Sequence, residues 1–180
     1  NAFFMATTTR TAGFNSVPVP GLREVTLFFF LILMFVGASP GGTGGGVKTT
    51  TFGVVAMAVW ATMRGRPDVV IFGRRMAREV VDRSLAIVAI SLSLVTTAVL
   101  VLGVTERAPL LPLLFEVVSA FGTVGLSFGI TPELSDAGRL VIALTMFVGR
   151  LGPLTLAMAL ARPEVVPQPI RYPTEKVMVG

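Results

Sequence analysis

The sequence contains no cysteine and no histidine among its 180 residues. Without cysteine, a disulfide framework and a cysteine-ligated zinc site are excluded. Without histidine, the chain lacks the residue that most often serves as a general base or a metal ligand. No nucleophile paired with a base is visible either. We therefore predict that the protein is not an enzyme and that this chain binds no cofactor.

Charged residues are also scarce, at 14% of the chain, whereas a soluble protein has about 25%. Hydrophobic residues make up 53%, and the mean hydropathy is +0.80. Several apolar runs reach about the 18 residues that indicate a membrane span. The sequence therefore predicts an all-α membrane protein in contact with lipid. The net charge is +5, and the basic residues concentrate in one linker, which argues against a nucleic-acid partner.

Four apolar runs divide the chain, and they are residues 22–38, 47–63, 84–104 and 139–161. The arginine-rich linker at residues 64–83 is assigned to the cytoplasm by the positive-inside rule, together with the tail at residues 162–180. Residues 113–122 are apolar but too few to cross about 30 Å of hydrocarbon with a rise of about 1.5 Å per residue. We expect this segment to be a re-entrant helix on the outer side.

A short motif occurs twice, as Thr-Ala-Gly at residues 11–13 and as Thr-Val-Gly at residues 123–125. Aligning the two copies also pairs Thr7 with Ser119, and a short helix-like segment precedes each copy. Internal repeats of this kind indicate a repeated structural unit. A loop of backbone carbonyls can replace the hydration shell of an alkali cation, and glycine permits the backbone angles that this requires. Two matched copies predict two quarters of an ion filter; the alternative is two ordinary turns between spans.

Six glycines and a proline lie within residues 37–46, between two apolar runs. A helix is not expected to survive there, because each glycine costs about 1 kcal/mol and proline about 3 kcal/mol. Irregular backbone at membrane depth must line a water-filled path or be buried in protein. We predict a gate below the filter. The alternatives are close helix packing by small residues and a nucleotide-binding P-loop, whose pattern is broken because Val47 precedes Lys48.

Two basic residues, Lys48 and Arg150, lie deep within apolar sequence. A charge at the bilayer centre costs at least about 2.5 kcal/mol and normally faces a cavity or a partner. We expect both to face the ion path, with Arg150 bonded to carbonyls of the glycine-rich loop. The alternative for Lys48 is that it extends to the inner membrane surface. Glu116, in the short segment, either attracts cations at the outer mouth or is simply solvated.

The chain resembles the Trk/Ktr/HKT superfamily of potassium transporters in four segments, which are TRTAGFN at residues 9–15, GASPGGTGGGVKT at 37–49, GTVGLS at 122–127 and GRLGP at 149–153. The order of these segments also agrees with that superfamily. The likeness is greatest to the bacterial Ktr and Trk translocating subunits.

The resemblance implies helix–pore-loop–helix repeats with re-entrant pore helices and a broken gate helix, four such repeats surrounding one pore. Residues 1–63 would be the third-repeat pore loop, its outer helix and the gate, followed by the cytoplasmic linker at 64–83. Residues 84–161 would be the fourth repeat and residues 162–180 the cytoplasmic tail. The first two repeats of the pore would lie outside this sequence.

The resemblance also implies the residues of the site. The filter carbonyls would belong to Thr11, Ala12, Gly13, Thr123, Val124 and Gly125, and potassium would be the transported ion. The gate would comprise Gly41, Gly42, Thr43, Gly44, Gly45, Gly46, Lys48 and Arg150. The expected protein is a multi-pass protein of the cell (inner) membrane. It would form a homodimer and bind a cytoplasmic, nucleotide-binding regulatory subunit with RCK-type domains.

Overall fold

The protein is described by a computed structural model covering residues 1–66, 68–71 and 73–152. Within these residues the chain is mostly helical, which confirms the predicted all-α class. The helices are α1 (Ala2–Thr8), α2 (Glu24–Phe35), α3 (Thr49–Met63), α4 (Arg78–Thr105), α5 (Leu110–Gly122) and α6 (Asp136–Leu151). Short 3₁₀ turns occupy Val19–Gly21 and Thr131–Glu133.

A short antiparallel hairpin, β1 (Val70–Ile71) and β2 (Arg74–Arg75), lies in the linker and was not predicted. Its two strands have two residues each, too few for a periodic pattern to be read from sequence. An ion pair of 2.8 Å between Arg75 and Asp68 joins the hairpin to the chain before it.

Helix α4 is the one helix among the described residues that is long and apolar enough to cross a membrane by itself. Its 28 residues extend over about 42 Å. The helix begins at Arg78, six residues before the start of the predicted apolar run at residue 84. Charged residues end an apolar run, but arginine and glutamate are good helix formers and do not end a helix.

The chain between α2 and α3 does not continue as a helix through the glycine-rich segment. Helix α2 has 12 residues and α3 has 15, so they extend only about 18 Å and about 22 Å. Backbone bonds close the base of the connecting loop: Gly37 N donates to the Val47 carbonyl at 2.8 Å and Val47 N donates to the Phe35 carbonyl at 3.1 Å. Two half-length helices and a pinned loop therefore replace one continuous span.

Helix α5 lies at the centre of the fold and packs against α2, α4 and α6. Ten of its thirteen residues are buried, which is unusual for a helix and explains why its sequence is almost continuously apolar. The ring of Phe121 stacks on Phe35 of α2 with 5.7 Å between centroids. Gly149 of α6 also approaches the Phe121 carbonyl, so closely that a side chain at residue 149 would overlap it.

Large apolar side chains cover the outside of this helical unit, as the exposed Phe28, Trp60, Leu100 and Phe147 illustrate. An extensive exposed apolar surface indicates contact with a membrane or with further protein. The structure describes the chain as far as Gly152, the residue after α6. The remainder of the predicted span and the tail at residues 162–180 lie outside the described residues.

The C-terminal end of α4 and the N-terminal end of α6 are joined through Glu106, whose carboxylate accepts hydrogen bonds from the backbone and the hydroxyl of Ser135 at 3.1 and 2.5 Å. These bonds hold the pKa of Glu106 below its usual value. The Ser135 hydroxyl in turn caps α6 by accepting from Gly138 N at 3.1 Å.

Candidate functional site

The two Thr-x-Gly loops, which follow α1 and α5, meet backbone to backbone. A Cβ atom placed on Gly13 would lie 2.7 Å from the carbonyl oxygen of Val124 and 3.3 Å from the Cα of Gly125. A Cβ atom on Gly125 would lie 3.4 Å from the Cα of Gly13. The fold therefore brings together two segments more than a hundred residues apart, at a distance that leaves no room for a side chain on Gly13.

The two loops also share the same unusual backbone conformation. Thr11 and Thr123 have φ angles of 67° and 49°, and they are the non-glycine residues with positive φ in the described part of the chain. Gly13 and Gly125 follow with φ angles of 75° and 91°. A left-handed conformation at a threonine costs about 1–3 kcal/mol and is found most often at functional sites. The strain occurs at equivalent positions of the two copies.

A hydroxyl from the preceding helix holds each loop from behind. Thr8 donates to the Phe14 carbonyl and Ser119 donates to the Leu126 carbonyl, both at 2.5 Å. The residue equivalent to Ser119 is thus Thr8, and the sequence pairing of Ser119 with Thr7 is wrong by one position.

The shift has a visible cause in the backbone. Ala12 N bonds to the carbonyl of Thr8, four residues back, whereas Val124 N bonds to that of Ser119, five residues back. The second copy therefore contains one more residue between the residue that carries the holding hydroxyl and the loop threonine, which a gap-free alignment does not detect.

Glu116 of α5 is buried, with 5% of its surface exposed, so the reading of this residue as solvated is wrong. Its carboxylate accepts hydrogen bonds from Ser127 Oγ at 2.6 Å, from Phe128 N at 2.9 Å and from Thr131 Oγ1 at 3.0 Å. All three donors belong to the segment that leaves the second loop. One signal was available in the sequence: an isolated acid in the apolar run LLPLLFEVVSAFG, which needs polar partners if it is buried.

The glycine-rich loop lies directly against the threonine hydroxyls of both Thr-x-Gly loops. Gly45 N donates to Thr123 Oγ1 at 3.1 Å, and a Cβ atom on Gly45 would lie 2.7 Å from that oxygen. A Cβ atom on Gly44 would lie 2.8 Å from Thr11 Oγ1. The Thr11 hydroxyl is buried and has no hydrogen-bond partner among the described residues. Glycine is therefore required at residues 44 and 45 for the loop to approach so closely.

The two basic side chains that were predicted to face the ion path both contact carbonyl oxygens of the glycine-rich loop. Lys48 Nζ donates to the carbonyls of Gly44 at 2.6 Å and Gly42 at 3.3 Å. The Arg150 guanidinium donates to the Thr43 carbonyl from α6. Lys48 is half-buried and Arg150 is exposed. Gly41 and Gly46 complete the loop with φ angles of 83° and 74°, which glycine adopts readily.

A cavity of about 530 Å³ runs along the second loop, and the residues lining it include Glu116, Thr123, Gly125, Ser127 and Arg150. Arg150 and Thr123 contact the glycine-rich loop, and Glu116 and Ser127 belong to the network behind the second loop. The cavity therefore lies against the second Thr-x-Gly loop, and two of its lining residues also contact the glycine-rich loop.

Comparison with known proteins identifies the family. The family model TrkH, described as a cation transport protein, matches residues 1–169. The chain belongs to the TrkH family. It is 45% identical over 179 residues to the Ktr system potassium uptake protein B of Vibrio alginolyticus, covering 99% of this chain and 39% of that protein. The protein of the same name from Bacillus subtilis (strain 168) is also 45% identical, with 99% and 40% covered.

Among solved structures, the potassium transporter TrkH from Vibrio parahaemolyticus matches with a TM-score of 0.71 and 21% identity, covering 87% of this chain and 35% of that chain. At this identity the match supports the helical fold. The present chain spans about two fifths of the length of the curated relatives that it matches.

Membership of the TrkH family confirms the resemblance and the expectation of a membrane transport protein instead of an enzyme. It gives no support to the nucleotide-binding alternative. The loop geometry agrees, because a P-loop presents backbone N–H groups and a free lysine to phosphate. In this TrkH-family chain the amine of Lys48 is directed to the loop's own carbonyls.

Proposed function

We propose that the chain supplies two quarters of a potassium filter and the gate beneath it in a transporter of the TrkH family. The filter oxygens are the carbonyls of Thr11, Ala12 and Gly13 in one quarter. In the other quarter they are those of Thr123, Val124 and Gly125. The potassium assignment is supported by the names of the relatives, which are potassium uptake proteins sharing 45% of their aligned residues with this chain.

The observation that carries the proposal is the contact between Gly13 and Gly125 in two loops of the same left-handed conformation. A dehydrated alkali cation needs several uncharged oxygens arranged around one axis. Successive carbonyls can point toward such an axis where some residues adopt φ and ψ angles outside the usual regions. Glycine adopts such angles without strain. Two turns that merely connected membrane spans would have no reason to adopt the same strained conformation at the point where they touch.

The glycine-rich loop is the gate in this proposal. It lies against Thr11 and Thr123, on the side of the filter where Lys48 and Arg150 contribute two positive charges. A cation leaving the filter meets both the loop and this positive field, so conduction requires the loop to move. The loop is suited to movement because its six glycines give many backbone conformations of similar energy.

The remaining parts of the proposal concern the complete transporter. The first two repeats of the pore close the other half of the filter, which two quarters cannot do alone. The pore protein is a multi-pass homodimer in the cell (inner) membrane. Its arginine-rich linker and its tail face the cytoplasm and bind a nucleotide-binding regulatory subunit with RCK-type domains. The phrase "Ktr system" in the relatives' names supports a protein that works with other components.

The test is potassium uptake by cells that lack their own uptake systems and produce the complete protein carrying this sequence. Gly125→Ser places a side chain where the two loops touch and is expected to lower the preference for K⁺ over Na⁺ by about tenfold, the effect of roughly 1.4 kcal/mol. Gly65→Ser is the matched control: Gly65, which follows α3, also has a positive φ, of 64°, but a Cβ there meets nothing within 4 Å. Unchanged preference in Gly125→Ser at normal abundance would refute the filter assignment.

A further inference from the structure

One face of α5 holds the whole segment that leaves the second Thr-x-Gly loop. Glu116 and Ser119 are three residues apart on the helix and therefore point in the same direction. Ser119 donates to the Leu126 carbonyl at 2.5 Å, and Glu116 binds Ser127, Phe128 and Thr131. The chain after Gly125 is therefore fixed at Leu126 and again over residues 127–131.

The hydrogen bonds around Glu116 restrict the conformation of the segment at residues 127–131. Each hydroxyl has one proton, and those of Ser127 and Thr131 are both directed to the carboxylate. Ser127 Oγ then accepts from Gly129 N at 2.8 Å. A buried carboxylate is tolerated only when it is hydrogen-bonded, and bonds to an ionised acceptor are among the strong ones in proteins. The carboxylate is thus hydrogen-bonded, and it restricts the conformation of the segment that bonds to it.

The first loop has no counterpart to this arrangement. Met5 lies three residues before Thr8, as Glu116 lies three before Ser119, and Met5 is apolar and buried. Asn15, the residue equivalent to Ser127, bonds only to the nearby Val17 carbonyl, at 3.4 Å, within the described residues. The first loop is held from its helix by the hydroxyl of Thr8, whereas the second is held by a hydroxyl and a carboxylate.

We propose that Glu116 is a positioning residue for the filter, which by holding residues 127–131 sets how strongly the second loop discriminates between K⁺ and Na⁺. The inference rests on the proposed function, because it needs the carbonyls at residues 123–125 to face the ion. Discrimination depends on the number and arrangement of the carbonyl oxygens. Without the bonds to Glu116, the second loop can relax around the smaller ion, Na⁺. Selectivity for K⁺ therefore falls although the protein still folds.

Glu116→Gln tests the proposal with little change in size. Glutamine has no charge, one acceptor oxygen and an NH₂ group that cannot accept, so at least one of the three donors loses its acceptor and the others lose a charged one. The expected result is a fall of about tenfold in the ratio of K⁺ to Na⁺ uptake, in keeping with the loss of one hydrogen bond to a charged group. The amount of protein in the membrane should stay the same.

Thr131→Val is the second variant, because it removes the bond to Oε2 at nearly constant shape. It should lower the same ratio to a smaller extent. The double variant should be no worse than Glu116→Gln alone, since the two changes act on one network. If Glu116→Gln does not accumulate in the membrane, Thr131→Val decides: a lower ratio supports the proposal, and an unchanged ratio overturns it.

Glu106→Gln is the matched control, since Glu106 is another hydrogen-bonded carboxylate in the same repeat whose partner is Ser135 at the start of α6. Its ratio should stay at that of the unmodified protein, and a fall equal to that of Glu116→Gln would overturn the proposal. Gly125→Ser is measured alongside. If Gly125→Ser lowers the ratio and Glu116→Gln at normal abundance does not, only the role of Glu116 is refuted. If Gly125→Ser has no effect, the proposed function itself fails.

Discussion

Replacing Gly149 by alanine should separate α6 from α5, and the expected cost follows from the contacts at this position. A Cβ atom there would overlap the carbonyl oxygen of Phe121 and lie 2.7 and 2.9 Å from its carbonyl carbon and Cα. All three are backbone atoms, so no side chain can rotate away and the helices must move apart. Overpacking of this kind costs about 1–3 kcal/mol, while alanine returns up to about 1 kcal/mol of helix propensity. We expect a net destabilisation of about 1–2 kcal/mol.

Gly103→Ala is the matched control, because Gly103 also lies inside a helix, α4, but a Cβ there meets nothing within 4 Å. Only the gain in propensity applies, so this variant should be as stable as the unmodified protein or slightly more so. The measurement is the temperature at which half of the detergent-purified protein is lost from its monodisperse chromatographic peak. Equal midpoints for Gly149→Ala and Gly103→Ala would refute backbone-to-backbone packing of α5 and α6.

Two further variants examine the glycine-rich loop. Arg150→Gln removes a charge-assisted bond to the Thr43 carbonyl. Such bonds contribute about 1.5–3 kcal/mol, so K⁺ flux should rise about tenfold or more. Unchanged flux at normal abundance would refute the role of Arg150 as a barrier. Thr123→Val removes the acceptor for Gly45 N at nearly constant shape. When the regulatory subunit is absent, Thr123→Val should increase the leakage of K⁺. Thr123→Ser keeps the hydroxyl and should retain the closed state. Similar leakage from both variants would show that the bond from Gly45 N to this hydroxyl does not hold the loop closed.

The parts of the fold that could be predicted from sequence are those determined by local composition. Apolar runs gave the helices, and the run of glycines around Pro40 gave the interruption between α2 and α3, because helix propensity and hydropathy depend on neighbouring residues. The pairing of the two Thr-x-Gly copies also needed only the sequence, since a repeated motif is visible without a structure. The assignment of these residues to an ion filter stays a prediction.

The features that sequence missed depend on contacts between distant segments. The donors to Glu116 lie 11, 12 and 15 residues further along the chain, where no helical or strand periodicity connects them to α5. A glutamate is usually exposed unless it is paired, so composition favoured the wrong reading of Glu116. The equivalence of Thr8 with Ser119 depends on one extra residue before the second loop, which becomes visible only when the backbone bonds are compared.

The two Thr-x-Gly loops differ in how they are attached to the glycine-rich loop, the proposed gate. The glycine-rich loop is bonded to the second loop through Gly45 and Thr123 and to α6 through Arg150, whereas the hydroxyl of Thr11 lies against it without a bond. Displacing the glycine-rich loop therefore breaks contacts on the side of the second loop. That loop is also the one held from behind by Glu116, through bonds that do not involve the glycine-rich loop. If the glycine-rich loop moves as proposed, the carboxylate therefore holds the loop whose contacts that movement would break.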